Sequence, residues 1–134
     1  MSSPLIERLL QIYPLVDAAS LSAFLDEHEY SVLFFTEDPN RFPETNDVAV
    51  VLPELVKVFQ GKFQAAIIAQ PDEKKLQSLY GFQSWPALVF MKHQHYLGAI
   101  TGIQDWSVYL QDIQTILASP PKRPLSIGIP VVSQ

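Results

Sequence analysis

The chain has no cysteine. That absence excludes disulfides, thiolate nucleophiles, Cys-ligated zinc and iron–sulfur clusters. Glycine is scarce too, with five in 134 residues. Neither a glycine-rich phosphate loop nor a Gly-x-Ser-x-Gly nucleophile elbow occurs. Lys and Arg together number nine against fourteen Asp and Glu, so the clustered positive charge that grips nucleic-acid phosphates is missing. No stretch reaches the roughly 18 apolar residues of a membrane span. The apolar stretch 5–16 is broken by Glu7, Arg8 and Gln11, and no basic leader precedes it, so neither membrane insertion nor a secretory signal is expected. These absences predict a cytoplasmic protein with no catalytic residues, no metal and no cofactor.

Hydrophobic residues make up 48% of the chain and charged residues 17%, a composition that folds around a core. The length suits one domain. Pro4 can open a helix through Leu5, Ile6, Leu9, Leu10 and Tyr13, which Pro14 ends. Ser20 can cap a short helix with Leu21, Phe24 and Leu25 on one face. Residues 31–36, Ser-Val-Leu-Phe-Phe-Thr, read as a strand buried on both faces. Residues 37–47 hold two prolines, two Asn and several acids, and read as a loop. Apolar residues recur at helical spacing from Val48 to Phe59, around Pro53, up to Gly61. A second strand is predicted over 63–69, then a turn in which Asp72 can cap a helix over 73–80 ended by Gly81. Strands over 87–91 and 95–100 flank a tight turn at His93-Gln94, and Asp105 can cap a last helix through Trp106, Leu110, Ile113 and Leu117.

The predicted order is α, α, β, α, β, α, β, β, α. A right-handed βαβ unit followed by a hairpin makes an α/β fold, a mixed four-stranded sheet with helices on both faces. Residues 1–118 are expected to form the domain with its N-terminal helical extension. Residues 119–134 are expected to form a Pro-rich tail outside the core. No internal repeat and no low-complexity segment is present.

That order resembles thioredoxin over roughly residues 20–117. Phe34-Phe35 ends the first core strand, Pro53 sits inside the next helix, Trp85-Pro86 precedes the hairpin, and Gly102 precedes the final helix. Where thioredoxins carry Trp-Cys-Gly-Pro-Cys, this chain reads Asp38-Pro39-Asn40-Arg41-Phe42-Pro43, so the redox centre is gone. A narrower resemblance rests on the stretch from Asp38 to Glu44, Asp47 and Pro53-Glu54-Leu55. It extends to Gly81-Phe82, the run from Trp85 to Phe90, Gly98 and Gly102-Ile103. These residues resemble the hydrogenase-1 expression protein family (HyaE or HupG type), cysteine-free thioredoxin-like accessory proteins of nickel–iron hydrogenase assembly. The resemblance implies a cis bond at Trp85-Pro86 and a non-redox chaperone. Its implied partner is the hydrogenase small-subunit precursor with its twin-arginine signal peptide, with other hydrogenase accessory proteins alongside. The alternative is a thioredoxin-like interaction module or scaffold in an unrelated complex.

The candidate binding residues are Glu37, Asp38, Arg41, Phe42, Glu44, Asp47, Trp85 and Pro86. Between Asp17 and Glu54 nine carboxylates face Arg41 alone, a field that can draw a basic partner or serve only as solvated surface. Glu37, Asp38, Glu44 and Asp47 can pair with arginines, or act locally, Asp47 as a helix cap and Asp38 in an Asx turn. Arg41 can hold the loop through a neighbouring carboxylate. Trp85 is either an exposed anchor beside a peptide groove or core packing. His93 and His95 have no third ligand in view and read as polar turn residues rather than a metal site.

Overall fold

A computed structural model describes residues 3–121. Helix α1 (Pro4–Leu9) starts where the Ser3 hydroxyl accepts the Ile6 N–H at 3.2 Å, with Pro4 in the first turn. It is followed by β1 (Leu15–Val16), α2 (Leu21–Glu27), β2 (Tyr30–Phe35), α3 (Glu44–Val58), β3 (Gln64–Ile68), a 3-10 turn (Gln70–Asp72), α4 (Glu73–Tyr80), β4 (Ala87–Lys92), β5 (His95–Thr101) and α5 (Trp106–Ala118).

The sheet has five strands in the order β1-β3-β2-β4-β5, one more than predicted. β1, β3 and β2 are mutually parallel, while β4 runs antiparallel to both β2 and β5. The unpredicted strand is two residues long, Leu15 and Val16 opposite Ile67 and Ile68, too short to show any alternation of polarity. Pro14 lacks an N–H, yet its carbonyl still accepts the Ile67 N–H at 2.9 Å. A proline beside an edge strand is compatible with that geometry.

Two apolar layers lie on the two faces. Val32 and Phe34 of β2, with Leu88 and Phe90 of β4, pack against α1, α3 and α5. Their neighbours Leu33 and Phe35, with Ala87, Val89 and Met91, pack against α2 and α4. This is the two-residue period of a strand buried on both sides. Gly81 closes α4 in the left-handed conformation at φ 81°, as a glycine at that position should.

Several predicted boundaries move. α1 ends at Leu9 rather than Tyr13, and the chain turns there with the Tyr13 N–H on Leu9 O. α3 begins at Glu44, so residues 44–47, predicted as loop, form its first turn. Asp47 lies inside that turn and is not its cap. Ser20, Asp72 and Asp105 stand at helix starts, but none makes a side-chain cap. The Asp72 carboxylate instead accepts the Ala18 N–H at 2.8 Å, tying α4 to the β1–α2 connection. Of the predicted tail, residues 122–134 lie outside the described residues. Among the described residues no helix is long and apolar enough to cross a membrane.

Candidate functional site

The loop after β2, the start of α3, the segment before β4 and the β5–α5 turn meet at one end of the sheet. A buried carboxylate joins two of them. Glu73, in the first turn of α4, is 1% exposed. Its Oε2 accepts the Thr36 N–H at 3.2 Å, the Thr36 hydroxyl at 3.3 Å and the Glu37 N–H at 2.9 Å. Its Oε1 accepts the Glu37 N–H at 3.0 Å and the Trp85 indole N–H at 2.7 Å. Burial pushes the Glu73 carboxyl up to about 7. The hydrogen bonds from Glu37, Trp85 and Thr36 pull the other way, and the nearby Glu37 charge adds to the rise. Glu73 thus holds two walls of the site at once.

Beyond Thr36 the backbone reverses, with Glu37 at φ 50°, a left-handed conformation that a non-glycine residue adopts only when its surroundings hold it there. The Glu37 Oε1 accepts the Asp38 N–H at 2.7 Å, and the Asp38 Oδ1 accepts the Asn40 N–H at 3.0 Å. The latter is the Asx turn anticipated for Asp38. Thr45 is buried at the start of α3, and its hydroxyl donates to Thr36 O at 2.8 Å. Glu44 reaches across to the β5–α5 turn, where its Oε1 accepts the Ile103 N–H at 3.0 Å. Gly102 in that turn has φ 68°, and a Cβ there would stand 3.2 Å from the Glu44 Oε1. The Gly102 N–H donates to Pro86 O at 2.8 Å.

Arg41, Phe42, Pro43, Glu44 and Trp85 line a small cleft of about 140 Å³ between these elements. Its wall is aromatic. The Trp85 ring meets Phe82 edge-on at 5.1 Å and lies 6.2 Å from Phe42. The Arg41 guanidinium sits over the Phe42 ring at 5.4 Å, a cation–π contact with the next residue in the chain. The Trp85-Pro86 bond is cis, and Pro86 is buried beneath.

Four of the eight candidate residues, Arg41, Phe42, Glu44 and Trp85, therefore share one cleft. Glu37 and Asp38 shape its flanking loop, and Pro86 supports it from below. Asp47 is exposed in the first turn of α3 and does not line the cleft. Glu73 escaped the sequence reading. A Glu that follows a Gln-Pro-Asp turn has the look of an exposed first-turn acid, and only the fold brings it to Thr36 and Trp85. His93 sits in the hairpin turn while His95 opens β5, so the two do not share a strand. His93 Nδ1 lies 3.2 Å from Leu25 O. Among the described residues no three His, Asp or Glu are grouped as metal ligands would be.

The fold is that of thioredoxin. The chain superposes on a Plasmodium falciparum thioredoxin with a TM-score of 0.62 at 16% identity, covering 75% of this chain and 96% of that one. What occupies the active-site position is a cysteine-free, carboxylate-held loop, so the class is a thioredoxin-like protein without the thiols of a disulfide centre. The chain belongs to the hydrogenase-1 expression protein HyaE family, whose model matches residues 5–109. It is 50% identical over 120 residues to the hydrogenase expression/formation protein HoxO of Azotobacter vinelandii, covering 88% of this chain and 80% of that protein. It is 41% identical over 123 residues to HupG of Bradyrhizobium diazoefficiens, covering 89% and 83%. A crystal structure described as the hydrogenase expression/formation protein HupG of Rhodopseudomonas palustris matches with a TM-score of 0.56 at 43% identity, covering 78% of this chain and 94% of that one. The chain is thus a hydrogenase expression/formation accessory protein rather than a thiol–disulfide enzyme.

Proposed function

We propose that this protein is a non-redox assembly chaperone of the cytoplasm that binds the small-subunit precursor of a nickel–iron hydrogenase, with its twin-arginine leader, before export. The observation that carries the reading is the cleft beside Trp85. An aromatic wall formed by Phe42 and Trp85, with Phe82 buried behind Trp85, stands next to the Glu44 carboxylate, and Glu37 and Asp38 lie in the loop that leads to it. A half-buried tryptophan held by its indole N–H is a rigid anchor for a partner's side chain or backbone. Carboxylates at the rim suit guanidinium groups, which they accept in pairs of hydrogen bonds. Other hydrogenase accessory proteins would meet the same complex, and no cofactor is needed. Family membership supports the hydrogenase context.

The test is a binding measurement with the full precursor and with precursor lacking its leader. Capture of the full precursor, weakened when the leader is removed, is the expected result. Equal binding to both moves the site of recognition to the mature part. Absence of binding to either overturns the proposal and favours a scaffold role in another complex.

A further inference from the structure

Away from the Trp85 cleft, the surface opens into a groove of about 800 Å³ between α2, α4 and the start of β5. Leu21, Leu25, Leu76 and Tyr80 form its floor, and these are core residues of the second apolar layer. Leu79, 49% exposed, lines it, as does Tyr96, whose ring stacks on Tyr80 at 6.0 Å and 11°. The groove and the Trp85 cleft have no lining residue in common. The floor is apolar, whereas Ser22, Lys75, Gln94 and His95 make the rim polar, the arrangement of a groove that can take a short apolar segment.

The course of the chain points to that segment. Helix α5 packs in the first layer, through Ile113, Ile116 and Leu117. After α5 ends at Ala118, the chain reaches the other layer within three residues, because Pro121 itself lines the groove. Next come Lys122, Arg123 and Pro124, and then Leu125, Ile127, Ile129, Val131 and Val132, five aliphatic residues within eight positions. Leu125 is four steps along the chain from Pro121, a reach of at most about 14 Å. A segment tethered so near its target is present at an effective concentration in the millimolar range, so weak contacts suffice. The rim carries both signs of charge, with Lys75 on the α4 side and an acid on the α2 side. Gln94, on the groove, donates to the Asp26 carboxylate at 2.7 Å, which places that acid at the edge.

We propose that this groove is the docking site of the chain's own residues 125–132. The interaction closes the second apolar layer from outside and removes Leu79 and Tyr96 from water. It stands independently of the hydrogenase reading and of the Trp85 cleft.

The absence of native cysteine makes the test clean. Ser133→Cys in the full chain gives one attachment point for a nitroxide label. Resonances of Leu76, Leu79 and Tyr96 should lose most of their intensity to the label. Adding Ile127→Asp and Ile129→Asp to the same chain should restore them. Without any label, the same pair of substitutions should shift those resonances in the otherwise native chain. Groove signals that ignore both the label and the aspartates overturn the proposal. A mixed sample, with the label on one set of chains and the isotope on the other, identifies the alternative occupant. Broadening that persists there means a second copy fills the groove, and it equally overturns docking in cis.

Discussion

Glu73 and Glu37 meet through a backbone hydrogen bond, yet their carboxylates do different work. Glu73 is buried and takes hydrogen bonds from Thr36, Glu37 and Trp85, residues on two separate segments. Glu37 is only half-buried, and its carboxylate accepts the N–H of the next residue. Asp38 and Glu44 behave like Glu37, each accepting one backbone N–H. Within the acidic stretch, Glu37 and Asp38 thus brace their own loop while Glu44 ties α3 to the β5–α5 turn, each with acceptor capacity to spare. The buried carboxylate that joins two segments of the site lies outside that stretch. Density of charge along a sequence locates a field, whereas burial decides which charge becomes part of the architecture.

The widest separation between the two kinds of carboxylate should appear in stability. Glu73→Ala leaves the Thr36, Glu37 and Trp85 donors without their acceptor in a closed space. A loss of about 2–3 kcal/mol is expected at pH 6, read from the urea midpoint. Glu37→Ala, which removes one brace at a partly exposed site, should cost about 1 kcal/mol or less. Equal losses would erase the distinction between them.

The pH dependence sharpens it. Burial raises the Glu73 carboxyl from 4.5 to about 7, so between those values the folded chain holds a proton that the unfolded chain has released. Stability attributable to this group is therefore full below about pH 4.5, falls as pH rises, and levels off above about pH 7, by up to about 3 kcal/mol. Glu73→Gln should flatten that slope, measured by urea unfolding between pH 5 and pH 8. The indole of Trp85 reports the same event. In a Trp106→Phe background, which leaves Trp85 as the only tryptophan, its fluorescence should step near pH 7, and Glu73→Gln should abolish the step.

Much of the fold was legible because its signals are local or periodic. Phe34 and Phe35 face opposite layers, as a doubly buried strand requires, and Gly81 closes α4 where the helical pattern stops. β1 was not legible, since two residues carry no period and the partner, Ile67-Ile68, is some fifty positions away. Capping was half legible. Ser20, Asp72 and Asp105 do stand at helix starts, but the Ser20 hydroxyl bonds Asp17 instead of its helix. Asp72 serves Ala18, 54 residues distant. The start of α3 was misplaced because prolines and acids resemble a loop, while Pro43 and Glu44 are equally good first-turn residues. At the site, the residues that line the cleft were found through family resemblance. Glu73 was not, because nothing adjacent to it in sequence marks it as buried.

A smaller effect is expected where the two sides of the cleft are pinned together. Gly102→Ala places a side chain at φ 68° with its Cβ 3.2 Å from the Glu44 carboxylate. Strain of about 1–2 kcal/mol follows from the conformation alone. If the Glu44 contact adds to it, Glu44→Ala in the same chain should recover part of the loss. A double-mutant cycle on thermal or urea unfolding measures that coupling. Strict additivity would mean that Glu44 swings aside at no cost and does not pin the turn.

The smallest effect concerns binding, and it decides whether the acidic rim is more than bracing. Glu37→Gln with Asp38→Asn removes two charges but keeps an oxygen on each side chain for the Asp38 and Asn40 N–H groups. Stability should barely change, and precursor binding should weaken by about 1 kcal/mol at low salt. The loss should fall mainly on the association rate, because charges at a wet rim steer encounter more than they hold the complex. It should also fade by 1 M salt, where the Debye length shrinks to about 3 Å. Trp85→Ala should show the opposite kinetic pattern, a faster dissociation with little salt dependence, since it removes the anchor. Binding that responds to Trp85 but not to the two carboxylates would assign recognition to the aromatic wall alone. The acids of this loop would then serve only their own backbone.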